Sequence, residues 1–195
     1  MNTNFARKMG LLALLSGILV VISSAIHPAT EDPTSILSDM WVPAHFLGWV
    51  GFSLSVLGWI GVYEVISSKS GQLGLWGFKL LVLGCVFLAG IYFVAFSIEP
   101  ILAANTPAVL ETIANSSTNL FIFIVSVFVL GSVLFGYEVF RSKMLNKWGG
   151  ALLIIGSIIA FAAFLLSYPE KVIGAGIAVF GLGQVLLGYS VWKKK

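Results

Sequence analysis

The two histidines of the chain, His27 and His45, lie at either end of a polar stretch between hydrophobic segments. Neutral imidazole is a common ligand for zinc and iron, and consecutive helices of a hairpin usually lie side by side. We therefore expect the two rings to meet at one membrane surface. With a carboxylate from Glu99 they form a candidate metal site, and two histidines on facing helices are also a candidate haem-binding pair. The alternative is that both are interface residues, because residues 28–44 match no metal-ligand motif.

Two Tyr-Glu pairs form a second candidate site, at the opposite membrane surface from the histidines. These are Tyr63-Glu64 and Tyr137-Glu138, and Glu138 is expected to pair with Arg141 one helical turn later. Tyrosine is enriched at membrane–water interfaces, so anchoring explains both pairs. The functional alternative is a cytoplasmic gate or a contact with a partner protein.

Gln184 is the most prominent polar residue predicted to lie deep in the membrane. It is a candidate for lining a polar cavity if the protein is a transporter. No carboxylate, lysine or arginine is predicted near the bilayer centre, which argues against an ion-coupled pump.

Composition indicates the fold that must hold these residues. The 195 residues are 58% hydrophobic and 10% charged, whereas soluble domains are about a quarter charged. Apolar runs near the 20 or so residues that a spanning helix needs predict an all-α integral membrane bundle, as one domain over residues 1–195. The six predicted spans are Met9–Ile26, Ala44–Ile66, Gly74–Ser97, Asn119–Phe140, Trp148–Tyr168 and Val172–Trp192. After Thr106-Pro107, a separate short helix is expected on the outer surface.

Charge distribution predicts the orientation. Ten of the eleven Lys and Arg residues fall on one side of the predicted spans, and Lys171 is the exception. The positive-inside rule then places both termini in the cytoplasm of a multi-pass protein. A competing interpretation is that Arg7-Lys8, the first apolar run and Ser23-Ser24-Ala25 form a cleaved secretory signal.

An internal repeat favours keeping the first span. Three of the predicted spans carry two glycines seven residues apart, at positions 10/17, 77/84 and 149/156. Trp76-Gly77 and Trp148-Gly149 open two of these spans in the same way. The pattern predicts three pseudo-repeated helical hairpins.

The first outer loop carries a resemblance. His27-Pro28, an acidic stretch and then Trp41-Val42-Pro43-Ala44-His45 resemble a pattern in small, uncharacterised bacterial multi-spanning membrane proteins. The resemblance implies a location in the bacterial inner membrane and makes the histidine loop part of the shared pattern. It implies no reaction.

The sequence thus favours a non-enzymatic membrane protein with no cofactor: a bundle that handles a small ligand or lipid, or an accessory subunit. Its expected partners are the lipid bilayer and either another membrane protein or a second copy of the chain. The alternative is a redox protein that binds a divalent metal or haem through His27 and His45. No soluble-enzyme motif is present, and the few basic anchors do not indicate nucleic-acid binding.

Overall fold

The computed structural model describes residues 3–194, and these form a bundle of α-helices without any β-strand. Six helices are long and apolar enough to cross a membrane, which confirms the predicted all-α, six-helix bundle. The helices are α1 (Thr3–Ile26), α2 (Pro33–Ile36), α3 (Trp41–Ile66), α4 (Gln72–Ser97), α5 (Glu99–Asn105), α6 (Pro107–Ser142), α7 (Lys147–Leu165) and α8 (Glu170–Trp192).

Helix α6 differs from the expectation at its beginning. The expected short surface helix and the fourth span are one continuous helix that begins at Pro107. Its first turns are polar, so hydropathy alone places the start of the span near residue 119. Hydroxyl groups in this region donate back to the helix, as Thr112 Oγ1 does to the Ala108 carbonyl at 2.8 Å, so they do not interrupt it.

The six long helices form a closed ring. Each packs mainly on its neighbours in the order α1, α3, α4, α6, α7 and α8, and α8 returns to pack on α1. Successive long helices run in opposite directions, so the two ends of the bundle differ in composition. We call the end that carries His27 and His45 the histidine end. The other, which carries Lys69, Arg141 and Lys193, is the basic end.

Aromatic side chains fill the interior of the ring. Trp59 contacts Phe135 and Phe180 with ring centroids 5.7 and 6.1 Å apart, and Phe128 contacts Phe180 at 4.8 Å. Trp59, Phe135 and Phe180 are almost completely buried. The described helices therefore enclose packed side chains along this part of the bundle axis.

The hairpins α4–α6 and α7–α8 pack in equivalent ways. In each, two glycines seven residues apart let the backbone of the first helix approach two residues seven apart on the second. Gly77 and Gly84 face Phe135 and Phe128, while Gly149 and Gly156 face Leu187 and Phe180.

Helix α1 breaks this pattern. Its glycines, Gly10 and Gly17, face Val191 and Gly181 of α8 instead of the partner within its own hairpin. The glycines Gly51 and Gly58 of α3 supply the close approach to α1. The contacts of the first hairpin therefore follow from closing the ring, and the repeat is clearest in the second and third hairpins.

Candidate functional site

The two histidines meet at the histidine end of the bundle. The Nε2 atoms of His27 and His45 are 3.2 Å apart, and their ring centroids are 4.8 Å apart. The turn between α1 and α3 brings them together, since His27 directly follows α1 and His45 lies in the second turn of α3. The juxtaposition expected from the hairpin is present in the structure.

His45 is packed between two aromatic side chains and is only 5% exposed. Its Nδ1 donates to the Trp41 carbonyl at 2.8 Å, and the Trp41 ring lies 4.1 Å from its own. Tyr92 of α4 approaches from another side, with ring centroids 5.4 Å apart. Gly48 makes room for that tyrosine, because a Cβ at this position would lie 2.2 Å from the Tyr92 Cε1 atom.

His27 is half-buried and is fixed through its backbone and its ring. Its Nδ1 donates to the Pro28 carbonyl at 2.9 Å, and Lys171 Nζ donates to the His27 carbonyl at 2.5 Å. A lysine at the C-terminal end of a helix satisfies free carbonyls and complements the helix dipole. Lys171, the exception in the predicted charge pattern, thus ties α8 to the end of α1.

A small hydrophobic cluster covers the histidine end. It consists of Ile36, Trp41, Ala95, Ala103 and Leu110, from α2, α3, α4, α5 and α6. The Trp41 Nε1 atom donates to the Ala95 carbonyl at 2.7 Å, so the indole is fixed at both its polar and its apolar parts. Ile36 and Trp41 therefore anchor the connection between α1 and α3 on the ends of the other helices.

Carboxyl groups lie at the histidine end of the bundle, and one of them interacts with the pair. Glu170 interacts electrostatically with His27 and with Glu31, and Glu31 interacts with Glu99. The Glu31 residue is partly accessible to solvent, but protein atoms surround its carboxyl group. This desolvation and the negative charge of Glu99 raise the pKa of the Glu31 carboxyl group. The electrostatic neighbours of His27 thus include the carboxyl group of Glu170.

Asp32 stabilises the loop between α1 and α3 and makes no hydrogen bond to the histidines. Its Oδ1 accepts from the backbone N–H groups of Thr34 and Ser35 at 2.8 and 2.9 Å, which caps α2. The hydrogen bonds from Ser35 and from the Thr30 hydroxyl lower the pKa of the Asp32 carboxyl group.

The hydrogen bonds of the two imidazoles fix their tautomers. A carbonyl oxygen only accepts, so Nδ1 of each ring carries the hydrogen. In the neutral rings both Nε2 atoms are then acceptors, and their lone pairs meet across 3.2 Å. A proton shared as an N–H···N hydrogen bond, or another electron-pair acceptor bound by both nitrogens, satisfies such a pair.

Glu99 is not brought into a ligand group with the histidines. Among residues 3–194 there is no group of three or more His, Cys, Asp or Glu side chains arranged to hold a metal ion. Glu99 begins α5, immediately after α4. The three-residue metal site stays a prediction, and the histidine pair is the part of it that has the required geometry.

The two Tyr-Glu pairs at the basic end differ from each other. Glu138 is 1% exposed, and its Oε1 and Oε2 lie 3.1 Å from Arg141 Nε and Nη2, so the expected ion pair is present. Tyr137 is exposed. Tyr63 stacks on Phe78 with centroids 4.5 Å apart, and Glu64 is half-buried. Only one of the two glutamates is thus enclosed.

Gln184 lies buried where α1, α3 and α8 meet. Its Nε2 donates to the hydroxyl groups of Ser16 and Ser55, each of which donates in turn to its own helix backbone. Its Oε1 has no hydrogen-bond partner. This side chain links three helices inside the packed interior.

Comparisons of the chain with protein-family models, with curated proteins and with solved structures found no match.

Proposed function

We propose that the protein is a non-enzymatic ligand-binding protein of the bacterial cytoplasmic membrane, with the histidine pair as its binding site. One observation carries the proposal: the two Nε2 atoms lie 3.2 Å apart, and because Nδ1 of each ring donates to a carbonyl, both Nε2 atoms are acceptors when the rings are neutral. Two acceptors in contact contribute nothing to stability, because each loses its hydrogen bond to water. Both nitrogens are satisfied by a species that accepts electron pairs, either a proton shared between the rings or a bound ligand, and we propose the ligand.

The packing of the interior favours a binding site at the end of the bundle. It argues against a transport pathway through the middle. Trp59, Phe135 and Phe180 fill the axis, and Gln184 is engaged by two serines from neighbouring helices. A transport pathway normally has a polar or ionisable lining near the bilayer centre. The packed aromatic rings leave no room for such a lining around these residues.

The spacing of the histidines also weighs against the haem alternative. Two axial nitrogens on opposite sides of an iron lie about 4 Å apart, given metal–nitrogen bonds of about 2 Å. The observed separation is 3.2 Å, and the rings of Trp41 and Tyr92 pack against His45. A ligand of small radius fits the pair better.

The proposal predicts that the histidines contribute little to folding. We expect the variant His27→Gln/His45→Gln to lose much less stability than a change in the hydrophobic cluster, because relief of two opposed acceptors offsets the lost contacts of the buried His45 ring. The matched structural variant is Trp41→Ala, which removes the centre of the hydrophobic cluster and should cost about 3–5 kcal/mol.

The measurement is thermal unfolding of the purified full-length protein, followed by tryptophan fluorescence and circular dichroism. A double variant that is destabilised as strongly as Trp41→Ala would contradict the proposal, since the histidines would then contribute to folding as much as the cluster does.

A further inference from the structure

From the geometry of the histidine pair we infer that its ligand is a divalent first-row transition-metal ion, with Zn²⁺ as the representative. The inference rests on the proposed function and names the ligand of that same site. It assigns two coordinating atoms, Nε2 of His27 and Nε2 of His45, and it does not require Glu99 as a ligand.

The distance between the nitrogens matches a known coordination geometry. Zinc–nitrogen bonds of about 2.0–2.1 Å place two nitrogens of a tetrahedral site about 3.3–3.4 Å apart. The Nε2 atoms are 3.2 Å apart, so an ion beside the line that joins them would be reached with little movement of either ring. Linear two-coordinate binding requires about 4 Å and would push the rings apart.

The surroundings of each imidazole are those of a metal ligand. Histidines that bind metals usually donate their other N–H to a carbonyl or carboxylate, which fixes the tautomer and aims the free nitrogen. His45 donates to the Trp41 carbonyl and His27 to the Pro28 carbonyl, at 2.8 and 2.9 Å. Both free nitrogens are thereby directed to the same place.

The charges at the histidine end favour a cation. Among the carboxylates at this end, Glu170 interacts electrostatically with His27 and with Glu31, and Glu31 interacts with Glu99, while the amino group of Lys171 is engaged with the His27 carbonyl. Negative groups raise the local concentration of cations and speed their arrival. Imidazole nitrogens select zinc and its neighbours over calcium and magnesium, which prefer oxygen ligands.

Two protein ligands define the character of the site. Structural zinc sites have four protein ligands and catalytic sites have three, with water in the open position. A site with two imidazoles leaves the remaining positions to water, so the ion exchanges with the medium. We therefore assign reversible capture of the ion at the membrane surface.

The test is a titration of the metal-stripped, full-length protein in detergent with ZnCl₂, by calorimetry. The protein is purified through a tag without histidine, because the chain has only two histidines and one buried cysteine. We expect one saturable site per chain. Each of His27→Gln and His45→Gln should weaken binding by more than the roughly 10- to 100-fold that loss of a second-shell partner costs.

The matched control is Glu111→Gln, an exposed carboxylate on α6 at the same end of the bundle, which should bind zinc as the parent does. Co²⁺, used as a spectroscopic probe, should give the ligand-field bands of a nitrogen-coordinated ion in the parent and lose them in both histidine variants.

Three results would overturn the inference: no saturable binding by the parent protein, equal binding by the histidine variants, or displacement of zinc by excess Ca²⁺, which would locate the ion on carboxylates. These failures are separable from failure of the proposed function. A His27→Gln/His45→Gln variant that loses little stability while the parent binds no zinc rejects the metal alone, whereas a strongly destabilised one rejects the binding site itself.

Discussion

Trp41 organises the histidine end at the scale of single residues. Its ring contacts both imidazoles, with centroids 4.1 Å from His45 and 5.7 Å from His27. Its carbonyl orients His45, and its indole nitrogen donates to the Ala95 carbonyl of α4. One residue therefore sets the tautomer of one histidine, packs against both, and connects them to the next hairpin.

Gly48 allows the other aromatic wall of the site to form. In Gly48→Ala the new Cβ would lie 2.2 Å from the Tyr92 ring, which is packed between His45 and Phe52 and has little freedom to move. We expect a loss of about 1–3 kcal/mol from overpacking. The measurement is equilibrium unfolding in mixed detergent micelles.

The control for this change is Gly90→Ala on α4, where a Cβ meets nothing within 4 Å. Its stability should stay within about 1 kcal/mol of the parent, since only helix propensity changes. Equal effects of the two substitutions would show that Tyr92 is not held as described.

Residue types predicted part of this site. Two histidines at adjoining helix ends predicted their convergence, and the spacing of Glu138 and Arg141 predicted their ion pair. The contribution of Tyr92 was not foreseen, because it comes from the far end of α4 and depends on a glycine one helix away. Such contacts depend on how each helix is rotated about its own axis relative to its neighbours. A continuously apolar segment does not indicate this rotation, because every face of the helix is hydrophobic.

At the scale of helices, glycine spacing decides which faces meet. The second and third hairpins share one packing pattern, so equivalent glycines should be equally sensitive. A Cβ on Gly84 would lie 2.6 Å from the Phe128 Cα atom, and one on Gly156 would lie 2.3 Å from the Phe180 backbone nitrogen. Backbone atoms cannot turn aside as a side chain does, so the helices themselves must separate.

We expect Gly84→Ala and Gly156→Ala each to destabilise the protein by about 1–3 kcal/mol, measured by the same unfolding assay. Gly174→Ala is the control, because its Cβ would make an ordinary 3.4 Å contact with the Ser24 carbonyl. If only one of the two equivalent changes is costly, the repeat in sequence does not reflect a repeat in packing energy.

The limits of the helices show where hydropathy stops being informative. Apolar runs predicted all six long helices, but α6 begins at Pro107 within a polar stretch. The start of that helix is fixed by proline at its first position and by Leu110, which packs into the cluster around Trp41. The first is a capping effect and the second is a tertiary contact. A mean hydropathy taken over many residues detects neither.

The whole molecule is a ring closed by α1 and α8, and this closure could not be predicted from the spans alone. It follows from Gly10, Gly17 and Gly188, whose missing side chains let the first and last helices touch. Removing the first helix would open the ring and expose Gln184, which Ser16 of α1 helps to satisfy. The contacts of α1 with α3 and α8 are therefore part of the folded bundle.

A closed ring with a filled centre also predicts where the protein can be reached from water. Single-cysteine variants Glu111→Cys and Lys143→Cys, made in a Cys85→Ala background, place a thiol at an exposed position on the histidine end and the basic end. A membrane-impermeant maleimide applied to intact cells should label only the first, because the basic end is expected to face the cytoplasm.

The parent protein is the control, since Cys85 is completely buried and should react only after denaturation. Labelling of Lys143→Cys from outside would reverse the orientation and place the histidine pair in the cytoplasm. Labelling of native Cys85 would reveal water inside the ring. The interior would then be a water-filled pathway, and the histidines would lie at its entrance.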